Sequence, residues 1–332
     1  MSLDELDHNN ISPEVARQQE LFPTESLKTD KTAEYIRKVW DIRESNAADE
    51  GALAFMAKCF IQATLPHSDP GDDVSLWHRE NGAFSLEIQA ARVFDRETRK
   101  EVNIGLPSGS IPRLLLAWMT TEAVRTKSPE LLLGNSLSQF MDKLGLTRCG
   151  GKKGDITRLK NQAYKLFRSR FTLTNYKEQG VHEKDMNITS ERFLFWNPQA
   201  PDQGSLWDSA IRLSPEFYDM IMFNPTPLDM RALHALKSSS MALDVYMWLS
   251  HRTFYLSKPQ RLPWKALAAQ MGAEYGRLRD FRKKVQNIIP KIRVFWPDLR
   301  VNFDDPEIIT LYPSKPLITP KEMKRGKLIS GI

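Results

Sequence analysis

The chain has 332 residues, 41% hydrophobic and 10% aromatic, with two cysteines and a net charge of +6. That is more apolar material than one core comfortably holds, so two domains are expected, and no run approaches the roughly 20 apolar residues that span a bilayer. Cys59 and Cys149 lack metal-type spacing and the opening MSLDELDHNN is too acidic for a signal peptide, which together suggest a reduced, cytoplasmic setting and no membrane partner.

Residues 1–50 carry twelve acids and six bases with weak periodicity. They read as an acidic flexible arm, with a helix over Lys31–Arg43. His67–Ser75 (HSDPGDDVS) reads as a solvated loop rather than a metal site, since no further ligands stand at helix or strand spacing nearby. Phe84–Phe94 is predicted as a strand and Glu101–Pro107 as its hairpin partner. Ser110 is the expected N-cap of a helix with Pro112 in its first turn and a stripe of Leu114, Leu115, Trp118 and Met119. A shorter helix, Leu137–Leu144, ends at Gly145, which suits a left-handed cap.

The next helix, Ile156–Phe171, is amphipathic. Leu159, Ala163, Leu166 and Phe167 fall on one side, and Arg158, Asn161, Gln162, Lys165, Arg168 and Ser169 on the other. FTLTNY and ERFLFW (Glu191–Trp196) read as two strands of a wing with a long loop between them. Asn197–Ser205 (NPQAPDQGS) is the expected domain boundary. Beyond it come a strand and helix in SAIRLSPEFYDMIM, two helices before Leu256, a helix in LPWKALAAQMG and another over Tyr275–Ile289. VNF and IITLYP, joined by the acidic tip Asp304–Glu307, form a closing hairpin. The expected divisions are an arm at 1–50, domains at 51–198 and 199–313, and a basic tail at 314–332.

The positive charge is focused. Residues 147–170 carry a net +7 and residues 275–293 a net +6, so the remainder of the chain is at −7. Such focusing is the footprint of a polyanion partner. The two halves also echo one another. LLLAWMTTEAVRT resembles LDVYMWLSHRTFY, with Trp118 opposite Trp248; Leu137–Gly145 aligns with Trp264–Gly272; Arg158–Lys160 aligns with Arg277–Arg279. Two helices joined by a tight turn, the second basic, followed by a β-hairpin, describe a winged helix-turn-helix. The expected fold is therefore α+β, mainly α, with two tandem winged helix-turn-helix domains related by internal duplication.

On this reading the N-terminal turn of the second basic helix meets base edges through Glu274, Tyr275, Arg277 and Arg279, while Arg282, Lys283, Lys284, Lys291 and, from the preceding helix, Lys265 meet phosphates. Phe281, Val285, Ile288, Ile289 and Leu278 face the core; Gln286 and Asn287 point away. In the first half the candidates are Arg148, Lys152, Lys153, Arg158, Asn161, Gln162, Lys165 and Arg168. No catalytic, cofactor or metal residues are expected: the six histidines show no ligand spacing, GGKKG lacks the phosphate-loop pattern, Ser108 and Ser136 have no nucleophile context, and Tyr164 and Tyr275 suit packing or base stacking.

Five ordered blocks, LPSGSIPRLLLAWMTTEAVRT, LGNSLSQFMDKLGL, GGKKGDITRLKNQ, SLWDSAIRLS and the stretch from MALDVYMWLSHRTFYL to LPWKALAAQMGAEYGRLRDFRK, resemble the RepA-type plasmid replication initiators over roughly Phe84–Pro313. The resemblance implies binding to repeated double-stranded sites in an origin, local opening of the duplex, recruitment of a host initiator and helicase, and a homodimer that represses its own promoter. A transcriptional repressor without an initiation role, or a DNA-nicking enzyme, are the alternatives that the residues leave open.

Overall fold

The computed structural model describes residues 30–71, 73–134, 136–193, 210–272 and 276–322. Two largely buried helices lie at its centre: α3 (Ser110–Thr126) and α8 (Ser240–Tyr255), preceded in the chain by α1 (Asp30–Glu44) and α2 (Cys59–Gln62). Ser110–Thr120 and Met241–Ser250 are buried without interruption, so the expected one-sided stripe on the first of them is in fact a fully enclosed rod. Gly109, at φ +78°, occupies the N-cap position expected for Ser110, which is instead the first helical residue; Pro112 does lie in the first turn. Trp118 and Trp248 are both buried, and their indole N–H groups have no partner among the described residues.

Around each rod the chain repeats one order of elements. After α3 come β6 (Glu130–Leu132), α4 (Leu137–Lys143) and α5 (Asp155–Arg168), and later β9 (Thr189–Phe193) and β10 (Ala210–Leu213), in an antiparallel sheet of order β6-β10-β9. After α8 come β12 (Gln260–Pro263), α9 (Trp264–Met271), α10 (Leu278–Phe295), β13 (Val301–Asn302) and β14 (Ile308–Leu311), in an antiparallel sheet of order β12-β14-β13. In both, the last strand lies in the middle. α4 and α9 each run into a left-handed glycine, Gly145 at φ +65° and Gly272 at φ +58°. A Cβ on Gly145 would lie 2.6 Å from the His234 ring, whereas one on Gly272 would meet only the movable end of the Arg79 side chain, so there the positive φ is what requires glycine.

The first half contains more. β7 (Arg170–Lys177) pairs with β8 (Gly180–Asn187), and β7 also pairs with β3 (Phe84–Gln89), which is the partner of β2 (Leu76–Asn81), giving a four-stranded sheet of order β2-β3-β7-β8. The expected wing of FTLTNY against ERFLFW is thereby corrected: β9, which holds Glu191 to Phe193, pairs with β10 instead. The stretch taken as a polar excursion is β8, an edge strand of which only Met186 is buried, so no alternating apolar pattern marks it. The single strand expected over Phe84–Phe94 breaks at Ala90: its second part, β4 (Arg92–Asp95), forms a separate ribbon with β5 (Lys100–Asn103).

The halves share one apolar core that runs from Val39 to Leu311. β1 (Leu53–Met56) pairs antiparallel with β11 (Thr226–Asp229), which lies between α6 (Pro215–Phe223) and α7 (Met230–Leu236). The Gln270 side chain donates to Ile61 O at 3.0 Å and the Thr64 hydroxyl to Met271 O at 2.9 Å. The described part of the expected arm forms α1, which packs against α7 and α10; Arg231 donates to Asp41 O and Ser45 O, and Tyr35 to Lys291 O. Residues 1–29, the expected boundary at Asn197–Ser205 and tail residues 323–332 lie outside the described residues.

The strongest polar tie is between the rods themselves. Arg113 and Asp244, 2% and 1% exposed, form a two-point ion pair at 2.7 Å through Nε and Nη2. The remaining guanidinium N–H groups reach Leu65 O, Pro66 O and Gly109 O, so all the donors are used. His67 Nε2 meets Asp244 Oδ2 at 2.7 Å. Burial opposes charge on Asp244, but the Arg113 charge and the hydrogen bonds from His67 and Arg113 outweigh it and hold the carboxyl below the usual carboxylate range. His67–Ser75, expected as a solvated loop, is thus anchored at its start.

Asp244→Asn, which strands the buried Arg113 charge, is expected to destabilise the protein by about 3–5 kcal/mol, read from the urea midpoint. Burial, with the Lys58 and Arg252 charges, pushes the His251 imidazole down to about 4 from an unfolded value of 6.5. The folded state therefore binds fewer protons between those values, and stability falls as the pH is lowered from 6.5 towards 4. His251→Gln is expected to remove up to about 3 kcal/mol of that decline, measured by urea titration at successive pH values.

Candidate nucleic-acid interface

α5 lays Leu159, Ala163, Leu166 and Phe167 into the core, as its period predicts, and leaves Arg158, Asn161 and Arg168 exposed. Not every polar residue expected on that face is free. The Gln162 carboxamide oxygen accepts from Ser108 N at 2.8 Å, Lys165 is 3.0 Å from Asp69, and Ser169 is buried with its hydroxyl on Lys165 O. These ties hold α5 to the loops before α3 and floor a groove of about 390 Å³ lined by Arg158, Asn161, Tyr164 and Lys165. Arg168 lies over the Tyr164 ring at 4.7 Å, which fixes the guanidinium at the surface.

The loop ahead of α5 carries the exposed Lys152 and Lys153, while Arg148 is paired with Asp142, whose hydrogen bond and charge push the guanidinium pKa up. Asp155 opens the helix: it accepts from Thr147 N and pairs with Arg158 at 2.9 Å. Burial raises its pKa, but the Thr147 hydrogen bonds and the Arg158 and Lys237 charges hold it below the usual carboxylate range.

α10 is built the same way and is longer than expected, continuing through Pro290 to Phe295. Phe281, Val285, Ile288, Ile289, Ile292 and Phe295 are buried, whereas Leu278, expected in the core, is 38% exposed. Arg277, Arg279, Lys283, Lys284, Asn287 and Lys291 are exposed along the outer side, and Lys265 is exposed on α9. Arg282 and Gln286 are spent otherwise. Arg282 donates to Pro306 O at 2.9 Å and Gln286 to Phe303 O at 2.9 Å, so both staple α10 to the closing hairpin rather than reaching outward. Arg293 does the same on Leu299 O and Val301 O. The backbone of the acidic tip Asp304–Glu307 is held by the Trp264 indole N–H on Asp305 O and by Arg282 on Pro306 O, while Asp304 and Glu307 stay exposed. Glu274 and Tyr275 lie outside the described residues.

The two basic helices open onto one cleft. Arg158 of α5 and Lys284 of α10 line the same concavity of about 510 Å³, at the seam between the halves. His67, Ser110 and Ser238 also line it. Sequence reasoning missed these three: Ser110 was read only as a cap, and the ties that bring His67 to the seam span 177 residues. Among the described residues no group of three or more His, Cys, Asp or Glu side chains could hold a metal ion, and no helix is long and apolar enough to cross a membrane.

No curated protein sequence matches the chain. Solved structures similar to the chain include two of RctB. One is the selenomethionine derivative of domains 2 and 3 of RctB, at 11% identity and a TM-score of 0.48, covering 75% of this chain and 95% of that one. The other is RctB domains 2-3, at 10% identity and a TM-score of 0.48, covering 81% of this chain and all of that one. The family profile described as "Plasmid encoded RepA protein" matches residues 106–265, a span that takes in α3, α4, α5, α8 and the start of α9. Over residues 106–265 the chain is therefore similar to plasmid-encoded RepA proteins.

Proposed function

We propose that the protein initiates plasmid replication by binding repeated double-stranded sites in an origin through two winged helix-turn-helix units, one centred on α5 and the other on α10. The observation that carries this reading is the shared cleft: two amphipathic basic helices, at corresponding places in a repeated element order, border one concavity that Arg158 and Lys284 both line. A rigid pair of basic helices suits successive major grooves on one face of a duplex. Strain imposed at flexible base steps would assist local opening without nucleotide chemistry. Recruitment of a host initiator and helicase, and a repressing homodimer, follow from the family resemblance and belong to this proposal.

On this reading the exposed cations take different roles. Arg279, 71% exposed and 3.6 Å from Asp280, stands in the first turn of α10, the part of a recognition helix that reaches base edges. Lys283 lies one turn on and is read as a phosphate contact. Lys165 is withdrawn by Asp69 and Arg282 by the hairpin, so both are set aside as DNA contacts.

Fluorescence anisotropy with origin-repeat and random duplexes tests the assignment. Arg279→Ala is expected to cost about 1–3 kcal/mol on the repeat and to relax one base position. Lys283→Ala is expected to weaken both duplexes alike and lower the salt slope by about one unit. Lys165→Ala is expected to leave that slope unchanged. Equal losses on both duplexes for Arg279→Ala would overturn the reading face; no salt-dependent binding to any duplex would overturn the function. Loss of plasmid maintenance on deletion, with a promoter fusion unaffected, separates initiation from repression alone.

A further inference from the structure

We propose that the cleft at the seam of the two halves is a phosphate-binding site, which deepens the DNA-binding reading and rests on it only for the source of the phosphate. α3 and α8, 17 and 16 residues long, both begin there: Ser110 lies in the first turn of α3, and Ser239 is the N-cap of α8. Neither helix has an acid in its first turn, whereas α5 and α10 carry Asp155 and Asp280 in theirs. The positive ends of the two central rods are therefore left without a carboxylate of their own, and both face one space.

The side chains point to the same ligand. Ser110 is nine-tenths buried, lines the cleft, and its hydroxyl has no protein partner among the described residues. No side chain caps α3, because Gly109 stands at that position. By contrast the Ser239 oxygen accepts from Ala242 N, and the Ser240 hydroxyl donates to His67 O, so those two serines are already committed. Lys284 brings positive charge to the space and Arg158, paired with Asp155 at 2.9 Å, also lines it; among the described residues no acidic side chain does. The carboxylate behind it, Asp244, is neutralised by Arg113 and further held by His67. A tetrahedral dianion or a backbone phosphodiester finds a buried hydroxyl donor, two helix N-termini and the Lys284 charge here.

The experiment has two arms on the full chain. In the first, inorganic phosphate and then pyrophosphate are titrated at constant ionic strength while the Ser110 and Ile111 amide resonances are followed. A saturable shift is expected, weakened about tenfold in Ser110→Ala and again in Lys284→Gln, with thermal midpoints confirming that both variants fold. In the second, origin-repeat duplexes carry a single uncharged methylphosphonate, stepped along the site. If the phosphate belongs to the duplex, one position weakens the wild type about tenfold and Ser110→Ala no further. Saturable phosphate binding with no such coupled position assigns the site to a small phosphate-bearing ligand and upholds the cleft. Saturable phosphate binding in a protein that binds no duplex sinks the DNA reading while the cleft stands. Shifts that stay linear in phosphate, together with no coupled position, overturn the proposal even where duplex binding is intact.

Discussion

The ion pair between Arg113 and Asp244 is the contact on which the rest of the architecture depends. It joins the N-terminal ends of the two central helices in a place with almost no solvent, and it spends every guanidinium N–H in doing so. A buried pair of this kind is poor evidence for stability as such, because the desolvation of both ions offsets most of their attraction. Its value is geometric. Three of the Arg113 contacts are backbone carbonyls of Leu65, Pro66 and Gly109, so one side chain sets the path of the loop, the start of α3 and the position of α8 together. The place of each basic helix relative to the other is inherited from that arrangement.

The basic helices divide their charge between two tasks. On α10, Arg282 and Arg293 reach back to the backbone of the closing hairpin and fix the helix, while Arg279, Lys283, Lys284 and Lys291 remain at the surface. On α5 Lys165 is held by Asp69 and Arg158 by Asp155, while Arg168 stays at the surface over the Tyr164 ring. A count of cations along the sequence cannot separate these roles, because stapling and outward cations alternate within a single turn. Arg282 and Lys283 are neighbours with opposite fates, decided by whether a hairpin carbonyl lies within reach.

How much was legible follows from where the signal resides. The periods of α5 and α10, the glycine ends of α4 and α9 and the closing hairpin are local patterns, and Leu159, Val285 and Gly272 announce them. β8 was not legible, because an edge strand exposed on both faces has no apolar alternation to read. Leu278 misled because a helix's first turn can overhang its core. The cleft was invisible for a different reason: Ser110, His67, Arg158, Ser238 and Lys284 are spread over more than half the chain, and only the packing of α3 against α8 gathers them. Gln162 and Lys165 were placed on the correct side of α5, yet the loop residues that engage them, Ser108 and Asp69, could not be anticipated from the helix alone.

The pairing of β1 with β11 has a consequence for how the molecule is made. Leu53 finds its strand partner only at Asp229, and β11 is the single strand paired with β1 among the described residues. At ordinary rates of translation of about 5–20 residues per second, roughly ten to thirty seconds separate the two strands at the ribosome. For that interval Ala54, Phe55 and Met56 form an apolar segment with an open backbone edge, the kind of surface that self-associates or engages a chaperone. The first half of this chain thus waits, incomplete, for the second to be synthesised.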